Sequence, residues 1–154
     1  MEAIKKNDTP LYAISVAARL LNISVHTLRM YEKEGLIVPF RKKTSHRLYS
    51  DSDIERLNCI RSAINESKIS ISGIKTLYAM IPCWEITNCS DMDRANCPAY
   101  DKSAHSQPCW MFAHENNICA VSECRKCKVY NGYAVCQSIK ETIIDLTKRK
   151  TGDT

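Results

Sequence analysis

Apolar residues in the first half of the chain recur at helical spacing, in two blocks separated by a short polar break. The first block, "ISVAARLL", spans residues 14–21, and the second, "VHTLRMYEKE", begins at Val25. In both blocks the apolar side chains fall three or four positions apart, as on one face of an amphipathic helix. Because the break "NIS" is so short, the pattern predicts a helix-turn-helix.

The residues at the ends of these blocks support the same prediction. Asn22 tolerates the left-handed backbone of a tight turn better than most residues with a side chain. Ser24 can cap the second helix by accepting a hydrogen bond from an amide of its first turn. Gly35 and then Pro39 end that helix.

Beyond the second helix, the pattern predicts a short hairpin and two more helices. The stretch "FRKKTSHRLYS" has strand-type residues at its ends and a basic, turn-like centre. Ser50 and the acidic residues after it are suited to begin a third helix, since carboxylates favour a helix N-terminus. The apolar face of the third helix is predicted at Ile54, Leu57, Ile60 or Arg61, and Ile64. The apolar face of the fourth helix is predicted at Ile71, Ile74, Leu77 or Tyr78, and Ile81.

The composition is that of a folded protein, with 44% hydrophobic and 25% charged residues. Residues 1–82 hold 13 Lys and Arg against 8 Asp and Glu, which places the whole net charge of +5 in the first half. This excess suggests a polyanionic partner. No apolar run reaches membrane-spanning length, and the N-terminus lacks the apolar core of a signal peptide. We therefore expect a cytoplasmic protein without membrane contact.

The composition becomes rich in cysteine from residue 83 onward. Eight of the nine fall within residues 83–136, a density typical of stapled or metal-bound modules. This shift places a domain boundary near Pro82. The predicted organisation is an N-terminal extension at 1–10, a winged helix-turn-helix domain at 11–82, a cysteine-rich domain at 83–136, and a helix with a tail at 137–154.

The first half resembles the winged-helix DNA-binding domain of the MerR family of transcriptional regulators. The resemblance covers about residues 11–81 and rests on the motif "TLRMYEKEGL" from Thr27 to Leu36, followed by Pro39, Arg41 and "RLY" from Arg47 to Tyr49. Ser45 stands where the family's wing usually has glycine. The resemblance implies that the second helix enters the DNA major groove while the wing lies against the phosphate backbone.

The chemistry of these residues agrees with DNA contact. Basic side chains and hydroxyl groups hold phosphates and fix the register of a protein on DNA. His26 occupies the family's variable, base-facing position and is the candidate reader of sequence. The predicted DNA-binding residues are His26, Thr27, Arg29, Tyr31, Arg41, Lys42, Lys43, Arg47 and Tyr49.

The resemblance also implies the partners. A homodimer would place one DNA-binding domain on each half of a palindromic operator, because twofold symmetry requires matching half-sites. The DNA is double-stranded promoter DNA, which is distorted when the effector domain changes state. RNA polymerase at that promoter is the further partner that the family implies.

The cysteine-rich segment favours a metal centre over disulfides, because disulfides are rare in the reducing cytosol. Cys124 and Cys127 form a short clip suited to one ion, and four thiolates hold either zinc or a four-iron, four-sulfur cluster. The long, irregular spacings and the large apolar neighbours favour the iron–sulfur cluster, with zinc as the alternative. The candidate ligands are Cys83, Cys89, Cys97, Cys109, Cys119, Cys124, Cys127 and Cys136.

The same segment resembles the two-CW domain, a bacterial module named for its repeated Cys-Trp pair. The resemblance rests on "CWEITNC", "CPAY", the second "CW" and "CRKCKVY", within residues 83–130. Cys136 lies beyond it and ranks last as a ligand. His105 and His114 are candidate substitute ligands, although both are more simply ordinary surface residues.

Together these features predict a mainly α protein: a winged helix-turn-helix, a small metal- or cluster-stabilised domain, and a short amphipathic C-terminal helix that either dimerises or packs on its own chain. The predicted function is a DNA-binding regulator whose cysteine-rich domain senses redox state or metal. One alternative is a regulator with purely structural zinc. The other is a thiol or cluster redox protein, which the lack of a substrate-binding motif disfavours; we expect no enzyme.

Overall fold

The structure is a computed structural model that describes residues 8–100, 107–121, 123–133 and 148. The chain divides into two compact units, one ending at Ile74 and the other beginning at Lys75. This division lies within a helix, ahead of the boundary that the cysteine distribution predicts at Pro82. Within the described residues, no helix has the length and apolar character needed to cross a membrane.

The predicted helix-turn-helix is present. Helix α1 spans Ile14–Leu21 and helix α2 spans Val25–Lys33. Asn22 adopts the left-handed conformation, with φ of 53°, and its amide donates to carbonyls at the end of α1. The Ser24 hydroxyl accepts from the Thr27 amide over 3.0 Å and so caps α2. The turn therefore forms for the local reasons that the sequence predicts.

The wing is part of a three-stranded antiparallel sheet. Strand β1 covers Tyr12–Ala13, β2 covers Phe40–Arg41 and β3 covers Arg47–Tyr49, in the order β1-β3-β2. The hairpin between β2 and β3 is the predicted one. Strand β1 was not predicted, because two residues carry no period that a sequence pattern could reveal.

The wing turns tightly at Ser45. This residue has φ of 64°, a conformation that favours glycine over residues with a Cβ. Its amide donates to the Lys42 carbonyl over 2.9 Å, and the Lys42 amide donates to the His46 carbonyl over 3.1 Å. The serine therefore adopts the backbone for which glycine is usual at this position.

Helix α3 spans Asp51–Asn65 and begins with a capping box formed by Ser50 and Asp53. The hydroxyl of Ser50 accepts from the Asp53 amide, and the Asp53 carboxylate accepts from the Ser50 amide. The interior face of the helix carries Leu57 and Ile60. These two side chains are among the largest buried ones of the first unit, with Leu21, Leu28, Leu36, Ile37 and Tyr49.

Helix α4 spans Ile71–Ala79 and is followed by the cysteine-rich segment. On α4 the structure buries Tyr78 and exposes Leu77, which resolves the alternative left open by the sequence pattern. The cysteine-rich segment contains two short helices, α5 at Cys83–Ile86 and α6 at Asp91–Ala95. Three 3-10 turns and one π-helical turn follow, at Cys109–Met111, Ile118–Val121, Cys124–Lys126 and Val129–Tyr133.

Aromatic side chains supply much of the interior of the second unit. The rings of Tyr78 and Trp110 lie 5.5 Å apart, and those of Trp110 and Tyr130 lie 5.1 Å apart in an edge-to-face arrangement. Trp84 and Tyr100 form a further edge-to-face pair at 5.2 Å nearer the surface, where Tyr100 is 40% exposed. Such pairs stabilise a core that has few aliphatic residues.

The prediction of a mainly helical fold is confirmed by the helices α1 to α6 and the small size of the sheet. The predicted C-terminal helix at 137–150 lies outside the described residues, except for Lys148, which is helical.

Candidate functional site

A basic cleft separates helix α2 from the wing in the first unit. It encloses about 330 Å³ and is lined by cationic or potentially cationic side chains from both sides. Arg29 comes from α2, whereas Lys42, His46 and Arg47 come from the wing. Among the described residues, no acidic side chain lines it. A cleft lined by one sign of charge concentrates the opposite charge, here an anion.

The N-terminal end of α1 lies at the same cleft. Ala13 and Ile14 contribute to its lining. Ala13 occupies the N-cap position without a capping side chain, and the first turn contains no acidic residue. The first-turn amides therefore lack a side-chain acceptor, and the helix dipole adds partial positive charge there. An anionic oxygen is the natural acceptor for such amides.

Glu32 of α2 fixes two arginines of the wing. One carboxylate oxygen lies 2.5 Å from Nη2 of Arg41, and the other lies 2.5 Å from Nε of Arg47. The Glu32 side chain is only 11% exposed. Charge-assisted hydrogen bonds of this kind are stronger than neutral ones. Glu32 thus holds the two strands of the wing against the helix; we call this arrangement the Glu32 clamp.

In the second unit, Cys83 and Cys109 are hydrogen-bonded to each other. This bond is the main cause that lowers the pKa of Cys83, and it also raises the pKa of Cys109, to which burial adds. Cys83 therefore loses its proton more readily than Cys109. All seven described cysteines between Cys83 and Cys127 are free thiols, and all are half-buried.

The other thiols are close enough to perturb one another. Burial is the largest cause that raises the pKa of Cys119 to about 12, and the charges of Cys89 and Cys83 add to it. Burial likewise raises the pKa of Cys97 and of Cys124. These interactions connect all seven sulfurs into one thiol cluster, comprising Cys83, Cys89, Cys97, Cys109, Cys119, Cys124 and Cys127.

A small cavity lies within the thiol cluster. It encloses about 30 Å³. Its lining is almost wholly apolar or sulfur-bearing, with one imidazole: Cys109, Trp110, His114, Cys119, Cys124, Cys127, Val129 and Tyr130. This volume is close to the space that one water molecule occupies in the liquid. A single metal ion, which is smaller than a water molecule, would fit within it.

The donor chemistry of the cluster fits a soft or borderline metal centre, because thiolate sulfur and imidazole nitrogen are the donors that zinc and iron–sulfur centres use. Across the described ranges, however, no three Cys, His, Asp or Glu side chains stand around one point in a ligating arrangement. Binding would require the thiols to close around the ion. Deprotonation of several crowded thiols is unfavourable without a cation, so metal binding and loss of protons are coupled.

Comparison with known proteins decides the identity of the first unit. The family model of the MerR HTH family of regulatory proteins matches residues 12–80. Residues 12–80 form a MerR-type helix-turn-helix domain. The matched range contains α1 to α4, the wing, the basic cleft and the Glu32 clamp.

Proteins similar to this part of the chain include two that are named as transcriptional regulators. The chain is 41% identical over 73 residues to a Streptomyces coelicolor protein named heat shock protein HspR, covering 47% of this chain and 48% of the relative. It is 29% identical over 75 residues to the HTH-type transcriptional regulator GlnR of Bacillus anthracis, covering 49% and 57%. It is 47% identical over 68 residues to a Haemophilus influenzae protein named as a heavy metal-dependent transcriptional regulator, covering 44% and 52%. The chain spans about half the length of the curated relatives it matches.

The MerR-type domain presents most of the predicted DNA-binding side chains to solvent. His26, Arg29, Arg41, Lys42 and Lys43 are exposed. Three of the predicted residues, Arg29, Lys42 and Arg47, line the basic cleft. His26 and Lys43 do not line it, and Thr27 is half-buried with its hydroxyl bonded to that of Ser24 at 2.9 Å.

Two tyrosines of the predicted DNA-binding set are buried. Tyr49 of the MerR-type domain is 0% exposed, so its hydroxyl cannot reach a DNA phosphate in this structure. This hydroxyl is buried and has no hydrogen-bond partner within the part of the chain that the structure describes. Tyr31 is only 6% exposed and belongs to the core. The family signature that contains both residues includes buried core positions as well as positions that contact DNA. Resemblance alone could not separate these two roles.

Several contributors to the site were missed from the sequence. Glu32 is an acidic residue within a basic surface, and its ion pairs with the wing could not be read from the motif that contains it. His46 and the amides at the start of α1 were also missed, because only the fold brings them to the cleft. His114, considered mainly as a surface residue, lines the cavity of the thiol cluster. Cys136 and His105 lie outside the described residues.

Proposed function

We propose that this protein is a DNA-binding transcriptional regulator that contacts double-stranded DNA through its MerR-type domain. The basic cleft carries this proposal. It joins three cationic side chains, one histidine and the N-terminal end of α1, which has no capping side chain, and none of the described lining residues is acidic. Phosphate oxygens satisfy all of these groups at once. The relatives named as transcriptional regulators support the regulatory role.

In this proposal the cleft binds the backbone while α2 reads the bases. Arg29 and Lys42 bind phosphates from opposite walls of the cleft, and Arg47 does so from within the Glu32 clamp. His26 is exposed on α2 and is the candidate for contacts with base edges in the major groove. Phosphate contacts position the protein, whereas base contacts specify the sequence.

We further propose that the regulator acts as a homodimer on a palindromic promoter operator, with RNA polymerase as its partner at that promoter. The support is the MerR-type domain itself and the family resemblance. Twofold symmetry of the protein would require an inverted repeat in the DNA.

A direct test is selection of bound sequences from a random DNA pool by the full-length protein, followed by footprinting on the selected site. The proposal expects an enriched inverted repeat and protection of both halves. A pool that yields no enriched sequence, together with no protected promoter region, would refute it.

For the second unit we propose a thiolate-bound inorganic centre that senses redox state or metal. The support is the seven free thiols of the thiol cluster, which lie close enough to perturb one another. Such a centre supplies a cation that the thiolates need, and it would contribute folding free energy to a segment with a small aliphatic core. The name of the Haemophilus influenzae relative agrees with metal-dependent regulation, for that protein.

The choice between an iron–sulfur cluster and zinc depends on two opposing observations. The number of thiols exceeds the four that one tetrahedral ion needs, which favours a cluster or two ions. The cavity of about 30 Å³ favours a single ion, because a four-iron cluster would force its walls apart. Purely structural zinc is therefore the second candidate.

A thiol redox protein is the third candidate, and the electrostatics disfavour it for the short Cys124–Cys127 pair. A reactive thiol needs a lowered pKa. Burial instead raises the pKa of Cys124, one member of the short Cys124–Cys127 pair. Elemental analysis and a visible spectrum of anaerobically prepared protein separate the candidates. A brown protein containing iron and sulfide supports the cluster, a colourless one with zinc supports the ion, and a metal-free folded protein refutes the centre.

A further inference from the structure

The imidazole of His114 is held by hydrogen bonds on both of its nitrogens. Nε2 lies 2.8 Å from the carbonyl oxygen of Cys109. Nδ1 lies 3.3 Å from the side-chain amide nitrogen of Asn117 and 4.0 Å from the sulfur of Cys97. The ring therefore has one edge on the backbone and the other edge toward the thiol cluster.

These contacts assign the tautomer. A carbonyl oxygen only accepts, so Nε2 must carry the hydrogen and donate it to Cys109. An amide nitrogen only donates, so Nδ1 must be the unprotonated acceptor for Asn117. The two contacts are independent and agree. Hence the lone pair of a neutral imidazole lies at Nδ1, on the side of Cys97.

This arrangement matches the environment of a metal-binding histidine. A ligating imidazole usually donates its other N–H to a backbone carbonyl or carboxylate, which fixes the ring and raises the basicity of the ligating nitrogen. In addition, His114 lines the same small cavity as Cys109, Cys119, Cys124 and Cys127. An ordinary surface histidine would have neither feature.

We infer that His114 is a nitrogen ligand of the centre held by the thiol cluster, bound through Nδ1 beside Cys97. The inference rests on the proposed thiolate-bound centre and goes beyond it by naming a mixed sulfur and nitrogen donor set. The contact from Asn117 to Nδ1 gives way on binding. Asn117 keeps its second bond, in which Nδ2 donates to the Asn96 carbonyl over 3.1 Å.

Cobalt(II) provides a spectroscopic test, because it occupies zinc-type sites and is visible in them. The full-length protein is reduced, stripped of metal anaerobically and titrated with Co²⁺. Wild type should develop a thiolate-to-cobalt charge-transfer band and a paramagnetically shifted, exchangeable N–H proton resonance from the Nε2–H of the bound imidazole. Labelling of histidine with ¹⁵N assigns that resonance to an imidazole.

The variant His114→Gln should lose the shifted resonance and bind Co²⁺ at least ~10-fold more weakly. His46→Gln is the control, since His46 is exposed in the wing of the other unit and should leave Co²⁺ binding unchanged. His114→Cys supplies a sulfur donor instead, so it should recover affinity and intensify the charge-transfer band.

The outcomes separate this inference from the proposed centre. If wild type shows no charge-transfer band, both the centre and the ligand assignment are overturned. A band without a shifted imidazole resonance in wild type overturns the assignment of His114 alone, whether or not the variants fold. The same holds if His114→Gln keeps the resonance and wild-type affinity.

Discussion

The carboxylate of Glu32 in α2 and the guanidinium of Arg47 in β3 form an ion pair, with Oε2 and Nε 2.5 Å apart. The second carboxylate oxygen binds Arg41 of β2 at the same distance. Because Arg47 lines the basic cleft, the clamp sets the position of one of its walls. Glu32 therefore connects the stability of the wing with its proposed contact to DNA.

Replacing Glu32 by Gln should loosen the wing. The substitution removes the charge that compensates two arginines and weakens both hydrogen bonds, at an expected cost of about 1–2 kcal/mol in the free energy of unfolding. Exposure of Arg41 keeps the cost at the lower end of the range for charged pairs. Denaturant unfolding monitored by circular dichroism measures the cost, and hydrogen exchange of the β3 amides localises it.

The matched control for the clamp is Glu55→Gln on the exposed side of α3. It removes the same charge without a clamp and should change the unfolding free energy by less than about 0.5 kcal/mol. Equal effects of the two substitutions would show that the clamp contributes nothing.

Removing a cation from the basic cleft should weaken DNA binding uniformly across sequences. Arg29→Ala or Lys42→Ala each eliminates one proposed phosphate contact, so the slope of log affinity against log salt should become shallower by about 1. Filter binding or fluorescence anisotropy over a series of salt concentrations measures this slope.

Arg19→Ala is the control for net charge, because Arg19 is exposed in the last turn of α1, at the opposite end from the cleft. Its salt slope should stay near that of wild type. If Arg19→Ala and Arg29→Ala reduce the slope alike, the cleft is not the phosphate site.

Replacing Tyr49 by Phe tests whether this residue packs in the core or contacts DNA. Since this hydroxyl has no hydrogen-bond partner and is inaccessible, Tyr49→Phe removes an unsatisfied polar group. The free energy of unfolding should be unchanged or increase by up to about 1 kcal/mol. DNA affinity should not change.

Tyr12→Phe provides the contrast, because the Tyr12 hydroxyl donates to the Asp51 carboxylate over 2.6 Å. Thermal unfolding should show that this variant is less stable than wild type. A loss of DNA affinity in Tyr49→Phe without a loss of stability would restore Tyr49 as a phosphate contact.

Substitutions at Asn22 should lower the stability when the new residue does not tolerate the left-handed backbone conformation. Its φ of 53° is unfavourable for alanine by about 1–2 kcal/mol. We therefore expect Asn22→Ala to lower the free energy of unfolding by about 1 kcal/mol and Asn22→Gly to cost much less. Equilibrium unfolding of the two variants measures the difference, and equal stability of the two would contradict the role assigned to this turn.

The elements of the first unit were largely predictable because their causes are local. The spacing in 14–21 and the residues Asn22 and Ser24 determine α1, the turn and the start of α2 without reference to distant contacts. Strand β1 was not predictable, since its two residues form a strand only by pairing with β3. The burial of Tyr49 likewise depends on packing that no motif records.

The second unit was less predictable, because its thiols lie in short turns of irregular spacing. The sequence indicated a cluster of cysteines, but not the hydrogen bond between Cys83 and Cys109, which are far apart in the chain. Nor did it show that His114 lies among them. Such long-range relationships depend on how the turns fold, and the residue pattern does not encode that.

In the proposed mechanism, a centre bound to the thiol cluster controls the MerR-type DNA-binding domain. The most direct test is footprinting of the selected operator by one anaerobic preparation of the full-length protein, before and after removal of metal with a chelator. We expect the metal content to fall and the footprint to change in extent or affinity, with recovery on reconstitution. A metal-free preparation with the same footprint and the same affinity would contradict the account.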